Sequence, residues 1–557
     1  MRAFRPGAMI SPMSIDVRVV CAAMSAVILM SALPVVGRAA DPTTNVATPH
    51  FATDKRDGVD HTYDGDLFYV GGGVASFDCD QDGRPDLYFA GGSNPAALYR
   101  NQSEVGGALR FAALPDPATD LMSVTGAYPI DIDGDDIIDL AILRMGENVL
   151  LRGLGDCRFE RGNETWAFEG GDAWTTAFTA TWEDDTALPT LATGGYLDMG
   201  DTATAEDMCL EGQLYRADPG GPGYAPPVAL DPSYCALSML FSDWDRSGRR
   251  DLRVTNDRHY YRDGQDQLWR IEPGEPPTPY TEADGWVDVE VNGMGIATYD
   301  VTGDGYPEYY LTNQGENLLE TLVDGPTQPT YDNMGFPIGL SAQRPFTGGD
   351  PLPSTAWHPE FADVNNDGRI DLFISKGNVG GVLDYAEKDP SNLLLGTADG
   401  TFTERARQAG ILSYKLGRGA ALVDLNRDGL LDLVQVPRGT PVLTWRNLGA
   451  GTAKKAKPMG HWAGVELQQP GANRDAIGAW IEVQVGDVVQ RRELTVGGGH
   501  LSGQLGPVHF GLGDLTDAQA RVQWTDGEWS DWLPLLLDEY QTITRVATET
   551  VPMPLPK

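Results

Sequence analysis

The sequence predicts an all-β chain: a seven-bladed β-propeller followed by a small β-sandwich-like domain. Three observations lead there. An acidic ten-residue turn recurs six times, starting at Asp78, Asp131, Asp243, Asp300, Asp363 and Asp424. Short apolar runs of strand character flank each copy, as in Val74-Ala75-Ser76-Phe77 before the first and Leu87-Tyr88-Phe89-Ala90 after it. Beyond residue 459 the turn no longer occurs, yet strand patterns continue, as in Trp480-Ile481-Glu482-Val483-Gln484-Val485.

The clearest turn is Asp78-Cys79-Asp80-Gln81-Asp82-Gly83-Arg84-Pro85-Asp86-Leu87. Carboxylates stand at positions 1, 3, 5 and 9, a glycine at 6 and an apolar residue at 10. Oxygens alternating along a tight turn, with glycine permitting the bend, suit a hard cation of calcium size. Each turn joins two strands, and a third strand signal follows many of them: Leu98-Tyr99-Arg100-Asn101, Leu214-Tyr215-Arg216, Leu268-Trp269-Arg270 and Leu443-Thr444-Trp445-Arg446-Asn447. Several short antiparallel strands per repeat make one small sheet.

The period of about 60 residues fails once, between Asp131 and Asp243, where the gap is 112. Trp182-Glu183-Asp184-Asp185-Thr186-Ala187-Leu188-Pro189-Thr190-Leu191 lies in that gap with the right flanks. Trp182 and Thr190 stand where the first and last carboxylates belong, so this is a unit without its metal. Six acidic turns and one degenerate one give seven units, and radial closure would protect sheet edges that an open stack leaves bare.

These units predict a domain layout of signal peptide 1–40, leader 41–65, propeller 66–448, linker 449–459, β domain 460–548 and tail 549–557. Arg2, Arg5 and Arg18 precede the apolar run Val19 to Val36, and Gly37-Arg38-Ala39-Ala40 offers small residues for cleavage. A membrane anchor is the rival reading of that run; Pro34 and the absence of a later apolar span favour cleavage, leaving no span in the mature chain. The expected location is periplasmic, secreted or cell-surface. The linker is the small, basic stretch Gly449 to Pro458.

The formal charge of −39 argues against a nucleic-acid or anionic-membrane partner. Twenty-one of the 80 acidic residues sit in the six turns, so much of that charge has a local address. Cys79, Cys157, Cys209 and Cys235 remain after the export segment, an even number that permits disulfides. Cys209–Cys235 is the favoured pair, while Cys79, inside an acidic turn, leaves its pairing with Cys157 open. No CxxC occurs, which speaks against thiol-redox or zinc chemistry.

The predicted metal ligands are Asp78, Asp80, Asp82 and Asp86; Asp131, Asp133, Asp135 and Asp139; Asp243, Asp245, Ser247 and Asp251; Asp300, Thr302, Asp304 and Glu308; Asp363, Asn365, Asp367 and Asp371; and Asp424, Asn426, Asp428 and Asp432. An EF-hand would need a chelating Glu at position 12 and helical flanks. Position 12 is Phe89, Ile142, Val254, Leu311, Ile374 or Gln435, so that reading fails. In the second turn Asp136 takes the glycine position, which an Asp can occupy at positive φ. Numbered by unit, the turn at Asp243 is the fourth, and Ser247 should make it bind more weakly. Extracellular calcium modules have Kd of about 10⁻⁴–10⁻³ M, and tenfold excess over Kd contributes about 1.4 kcal/mol per site. About six structural calcium ions are expected.

The strand–DxDxDGxxDL–strand units resemble the FG-GAP/VCBS repeats of integrin-α-type propellers. The tail resembles the ASPIC/UnbV domain through Gly471-Ala472-Asn473-Arg474-Asp475-Ala476-Ile477-Gly478-Ala479, Gly497-Gly498-Gly499-His500-Leu501-Ser502, His509-Phe510-Gly511-Leu512-Gly513 and Arg521-Val522-Gln523-Trp524-Thr525-Asp526-Gly527. The order is that of cartilage-acidic-protein-like proteins, and the metal-less third unit is the main departure. The resemblance implies calcium binding and extracellular interaction with a protein or glycan, and names no ligand.

No HxxxH or HExxH links the seven histidines, and no catalytic constellation emerges. The expectation is therefore a binding or adhesion module and not an enzyme. A propeller-based polysaccharide lyase is the alternative, with His259-Tyr260-Tyr261-Arg262 its best cluster, although adjacent strand residues point to opposite faces. A structural accessory of a surface complex is a third reading. Trp357-His358-Pro359 could stack on a sugar or anchor a loop, and Asn163-Glu164-Thr165 fits a glycosylation acceptor pattern.

Overall fold

The computed structural model describes residues 46–554 except 55, 185, 199–207, 258–263, 288, 290 and 547–549. The signal peptide expected at 1–40 and the cluster His259 to Arg262 lie outside the described residues.

Among the described residues, seven sheets, each built around a four-stranded antiparallel unit, follow one another along the chain. Their innermost strands are Val74–Phe77, Val124–Ile130, Thr175–Thr181, Ala236–Ser242, Ile296–Tyr299, Ala356–Ala362 and Leu416–Val423. Each sheet packs on the next and the first meets the last, which makes a closed β-propeller ring. The inner strands are flanked on both faces, so Val124–Ile130, Thr175–Thr181 and Ala236–Ser242 are buried at every residue. They accordingly lack polar alternation. Outermost strands such as Phe402–Glu404 are only half-buried.

Between sheets the core is aliphatic and aromatic. Tyr128 and Phe178 meet at 5.1 Å between the second and third sheets, and Leu87, Phe89 and Leu98 join Val434 and Val436 where first and last sheets touch. Ring closure uses both ends of the propeller sequence. Phe51–Ala52, inside the segment predicted as a leader, pairs antiparallel with Asn447 and Arg446 and supplies the outer strand of the last sheet. Its two residues are too short to give a strand signal of their own. Asn101 and Asn447 tie neighbouring sheets together: their side-chain amides donate to Leu425 O at 2.7 Å and to Val364 O at 2.8 Å.

The remaining chain forms two sheets of four strands. One contains His461–Gln468, Val508–Gly513, Glu539–Arg545 and Thr550–Pro554; the other contains Trp480–Val485, Val488–Glu493, Gln519–Gln523 and Leu533–Pro534. Val465, Ile481, Val483, Phe510, Val522 and Ile543 fill the core between them. The parallel pairing of His461–Gln468 with Glu539–Arg545 sets this domain apart from the antiparallel ring sheets.

A glycine-rich loop of this domain, residues 494–505, enters the propeller axis. Val496 O accepts from Ala180 N at 3.1 Å, Gly498 N donates to Met239 O at 2.7 Å, and Gly499 N to Ile296 O at 2.6 Å. His500 N donates to His358 Nδ1 at 3.0 Å, and Val74 N to Ser502 Oγ at 3.2 Å. Ala127 N reaches Leu501 O at 3.3 Å, and a Cβ on Gly419 would stand 2.3 Å from Ser502 Oγ. The loop thus touches the innermost edge of all seven ring sheets. Close approach requires bare backbone: a Cβ on Gly73 would lie 1.7 Å from Leu501 O.

Among the described residues two disulfides are present, Cys79–Cys157 and Cys209–Cys235, as expected of a chain in an oxidising compartment. The first settles the pairing that the sequence left open. Among the described residues no helix is long and apolar enough to cross a membrane.

Candidate metal centres

Each acidic turn folds on its own first carboxylate. The amide at position 6 donates to the position-1 Asp in all six: Gly83 to Asp78 at 2.6 Å, Asp136 to Asp131 at 3.0 Å, Gly248 to Asp243 at 3.0 Å, Gly305 to Asp300 at 3.1 Å, Gly368 to Asp363 at 2.8 Å and Gly429 to Asp424 at 2.7 Å. Position 6 has a left-handed backbone. Asp136, with φ of 73°, adopts what glycine adopts elsewhere, as at Gly83 with 82°. Position 5 accepts from the amide two residues on, as in Arg84 N to Asp82 at 2.9 Å and Tyr306 N to Asp304 at 3.0 Å.

The position-9 carboxylate is a strap between strands. Asp86 accepts from Cys79 N at 2.9 Å and from Asn101 N, in the third strand, at 2.7 Å. Asp139, Asp371 and Asp432 repeat the pattern with Ile132 and Gly153, Val364 and Gly396, and Leu425 and Asn447. Glu308 accepts from Val301 N at 2.6 Å and Thr302 N at 3.1 Å.

These bonds leave specific oxygens over. Asp80 Oδ1, Asp133 Oδ1, Asp243 Oδ1, Asp300 Oδ1 and Asn426 Oδ1 are buried without a hydrogen-bond partner among the described residues. Ligand oxygens of Asp78, Asp80 and Asp86 lie within 4.8 Å of one another, as do those of Asp131, Asp133 and Asp139. Burial without a counter-ion pushes Asp86, Asp139 and Glu308 up to about 8, and Asp78 and Asp131 up to about 6. Convergent, orphaned, hard oxygen donors with no soft ligand fit calcium.

Arginines of the third strands frame the sites. Arg100 Nε lies 3.0 Å from Asp80, and Arg152 spans Asp133 at 2.9 Å and Asp135 at 3.0 Å. In the third unit Arg216, at the equivalent strand position, grips Glu183 as a fork at 2.7 and 3.0 Å, and Thr190 Oγ1 donates to Glu183 at 2.7 Å. A guanidinium there meets the carboxylate of the degenerate turn. Sequence reasoning saw the missing carboxylates and missed this contact; Glu183 paired with the recurrent Leu-x-Arg strand was the available signal. The fourth turn is intermediate. Arg249 holds Asp251 at 2.9 and 3.1 Å, and Tyr280 Oη and Trp244 Nε1 add bonds of 2.7 and 2.9 Å, so its last carboxylate already has a cation.

The other singled-out residues have structural partners. Trp357 is fully buried and donates to Gly377 O at 2.7 Å. His500 reaches Val70 O at 2.5 Å from the axial loop, and His509 Nε2 lies 2.7 Å from Asn366 Oδ1. Asn163 is buried, accepting from Leu150 N and donating to Asn148 O, both at 3.0 Å, so its amide is turned into the fold and away from a glycan.

Comparison with known families agrees with this architecture. Residues 78–142 match the FG-GAP-like repeat family, and residues 469–550 match the ASPIC and UnbV family. The chain thus contains, in this order, a stretch similar to an FG-GAP-like repeat and one similar to an ASPIC and UnbV domain. No curated protein matches it. Among solved structures it is similar to BBS1N in complex with ARL6DN, at 9% identity over 73% of this chain and 99% of that one, with a TM-score of 0.40. It is also similar to an Agrocybe aegerita lectin that recognises non-reducing terminal N-acetylglucosamine, at 15% identity over 67% and 93%, TM-score 0.37. AofleA from Arthrobotrys oligospora is similar at 9% identity over 63% and 94%, TM-score 0.33.

Proposed function

We propose that this protein is an exported, calcium-stabilised binding or adhesion module whose ions are structural. One observation carries the calcium reading: a buried oxygen without a partner stands at position 1 or 3 in five of the six acidic turns. Leaving such groups unsatisfied is costly, and one divalent ion per turn satisfies several at once. Asp80, Asp133 and Asn426 offer that oxygen at position 3; Asp243 and Asp300 offer it at position 1. The fourth turn binds most weakly because Arg249 already neutralises Asp251. The two disulfides support export. The axis is filled by residues 494–505, so an extracellular protein or glycan would engage the outer surface of the ring.

The test is calorimetric titration of calcium into the chelated mature protein, with melting followed in parallel. Several sites of about 10⁻⁴–10⁻³ M and a raised melting temperature are expected. A protein that takes up no calcium and melts at one temperature with and without chelator would refute the reading. Incubation with acidic and neutral polysaccharides, read by mass spectrometry, then separates retention of a glycan from its cleavage.

A further inference from the structure

The C-terminal domain reaches the same turns that the ions would fill. Arg474 lies 3.2 Å from Asp136 of the second turn, and Glu493 accepts from Asp243 N of the fourth at 2.9 Å. His509 meets Asn366 of the sixth turn. At two turns the contact falls on the first-position carboxylate itself: Arg491 Nη1 donates to Asp300 Oδ2 at 2.7 Å, and Tyr540 Oη donates to Asp424 Oδ2.

The choice of oxygen is informative. Asp300 Oδ2 takes Arg491 and Gly305 N, while Asp300 Oδ1 stays buried and partnerless. Asp424 Oδ2 takes Tyr540 and Gly429 N, and Asn426 Oδ1 beside it is left without a partner. Arg491 is itself held by Glu482 at 3.0 Å, and Glu482 is steadied by Arg521 at 2.7 Å. Tyr540 packs on Trp462 at 4.8 Å and lies under the Arg427 guanidinium at 4.9 Å. Donors outside a metal site that fix the non-ligating oxygen set ligand orientation, and their loss typically weakens metal binding 10- to 100-fold.

We propose that Arg491 and Tyr540 are positioning residues for the fifth and seventh turns, so that calcium uptake and docking of the C-terminal domain on the propeller are linked. This rests on the calcium reading above. Reciprocity follows: if the docked domain raises calcium affinity, calcium tightens docking by the same factor.

The experiment compares full-length wild type, Arg491→Ala, Arg491→Lys and Tyr540→Phe by calcium calorimetry and by hydrogen exchange over residues 461–545. Each of Arg491→Ala and Tyr540→Phe should weaken one site about 10- to 100-fold and leave the others unchanged. Calcium should slow exchange in the C-terminal domain of wild type, and less in these variants. Arg491→Lys should recover part of the loss. Tyr540→Phe keeps the packed ring and removes only the hydroxyl, so it remains decisive if Arg491→Ala fails to fold. Wild type that binds calcium while Tyr540→Phe binds it equally well, with identical exchange, overturns the linkage alone. Wild type that binds no calcium overturns both readings.

Discussion

The first and third ring units solve one problem in two ways. Both need the tip of an inner hairpin tied to the third strand of its sheet. In the first unit the carboxylates of Asp78, Asp80 and Asp86 converge, and Asp80 Oδ1 is left buried with no partner among the described residues. In the third, Trp182 and Thr190 replace the outer carboxylates, and the Arg216 guanidinium binds Glu183 through two nitrogens. Arg216 also donates to Glu275 O at 2.6 Å and Glu272 O at 3.1 Å in the next unit. In the third unit a covalently attached cation closes the turn; on the calcium reading proposed above, an external one would do so in the first. On that reading the third unit is self-contained, whereas the first depends on solution conditions.

Chelation breaks this comparison most strongly. At tenfold excess over Kd each occupied turn contributes about 1.4 kcal/mol, so five well-formed turns give about 7 kcal/mol, comparable with a domain's net stability. Melting with and without chelator measures the total. Hydrogen exchange localises it: amides of 78–87 and 131–140 should exchange faster without calcium, and those of 182–191 should not. Equal acceleration in both places would show that the third unit has no independent closure.

The covalent staple of the first unit comes next. Cys79 lies inside the turn, and its partner Cys157 belongs to the second sheet, 78 residues away. Cross-links closing loops of this length stabilise by about 4 kcal/mol. The double variant Cys79→Ser/Cys157→Ser should lose about that much in denaturant unfolding, and the first turn alone should bind calcium more weakly, because Cys79 N donates to Asp86.

Removing the internal cation of the third unit gives a smaller loss with a different signature. Arg216→Ala leaves Glu183, which is 9% exposed, without its charge partner, and breaking such a pair costs about 3 kcal/mol. The loss should be the same with and without calcium. A larger loss in the chelated protein would mean that the third unit shares load with its neighbours.

What the sequence could and could not reveal follows from the range of the forces involved. The acidic turns were legible because their bonds are local: Gly83 N to Asp78 spans five residues, and Cys79 N to Asp86 spans seven. The all-β class followed from strand flanks repeated in register. Long-range partners were not legible. Nothing in Phe51-Ala52 marks it as the partner of Asn447, and the axial loop reads as flexible glycine until Gly73, Gly126 and Gly419 are seen to leave room for it. Arg249 and Arg216 also look like ordinary surface cations until the fold brings them to Asp251 and Glu183.

The dependence on pH sharpens the contrast between the two kinds of closure. Without an ion, burial holds Asp86, Asp139 and Glu308 up to about 8, against roughly 4 in an unfolded chain. Below about pH 4 both states carry these protons and the full contribution to stability is present. As the pH rises from there towards 8, the unfolded chain releases protons that the fold retains, so the chelated protein loses stability across that window. One retained proton corresponds to at most about 1.4 kcal/mol per pH unit. Calcium replaces those protons, so the loaded protein should keep its stability where the chelated one declines. The difference in melting temperature between the two should therefore widen from pH 5 to pH 8, and one that stays constant would show that the turns hold their carboxylates ionised without metal.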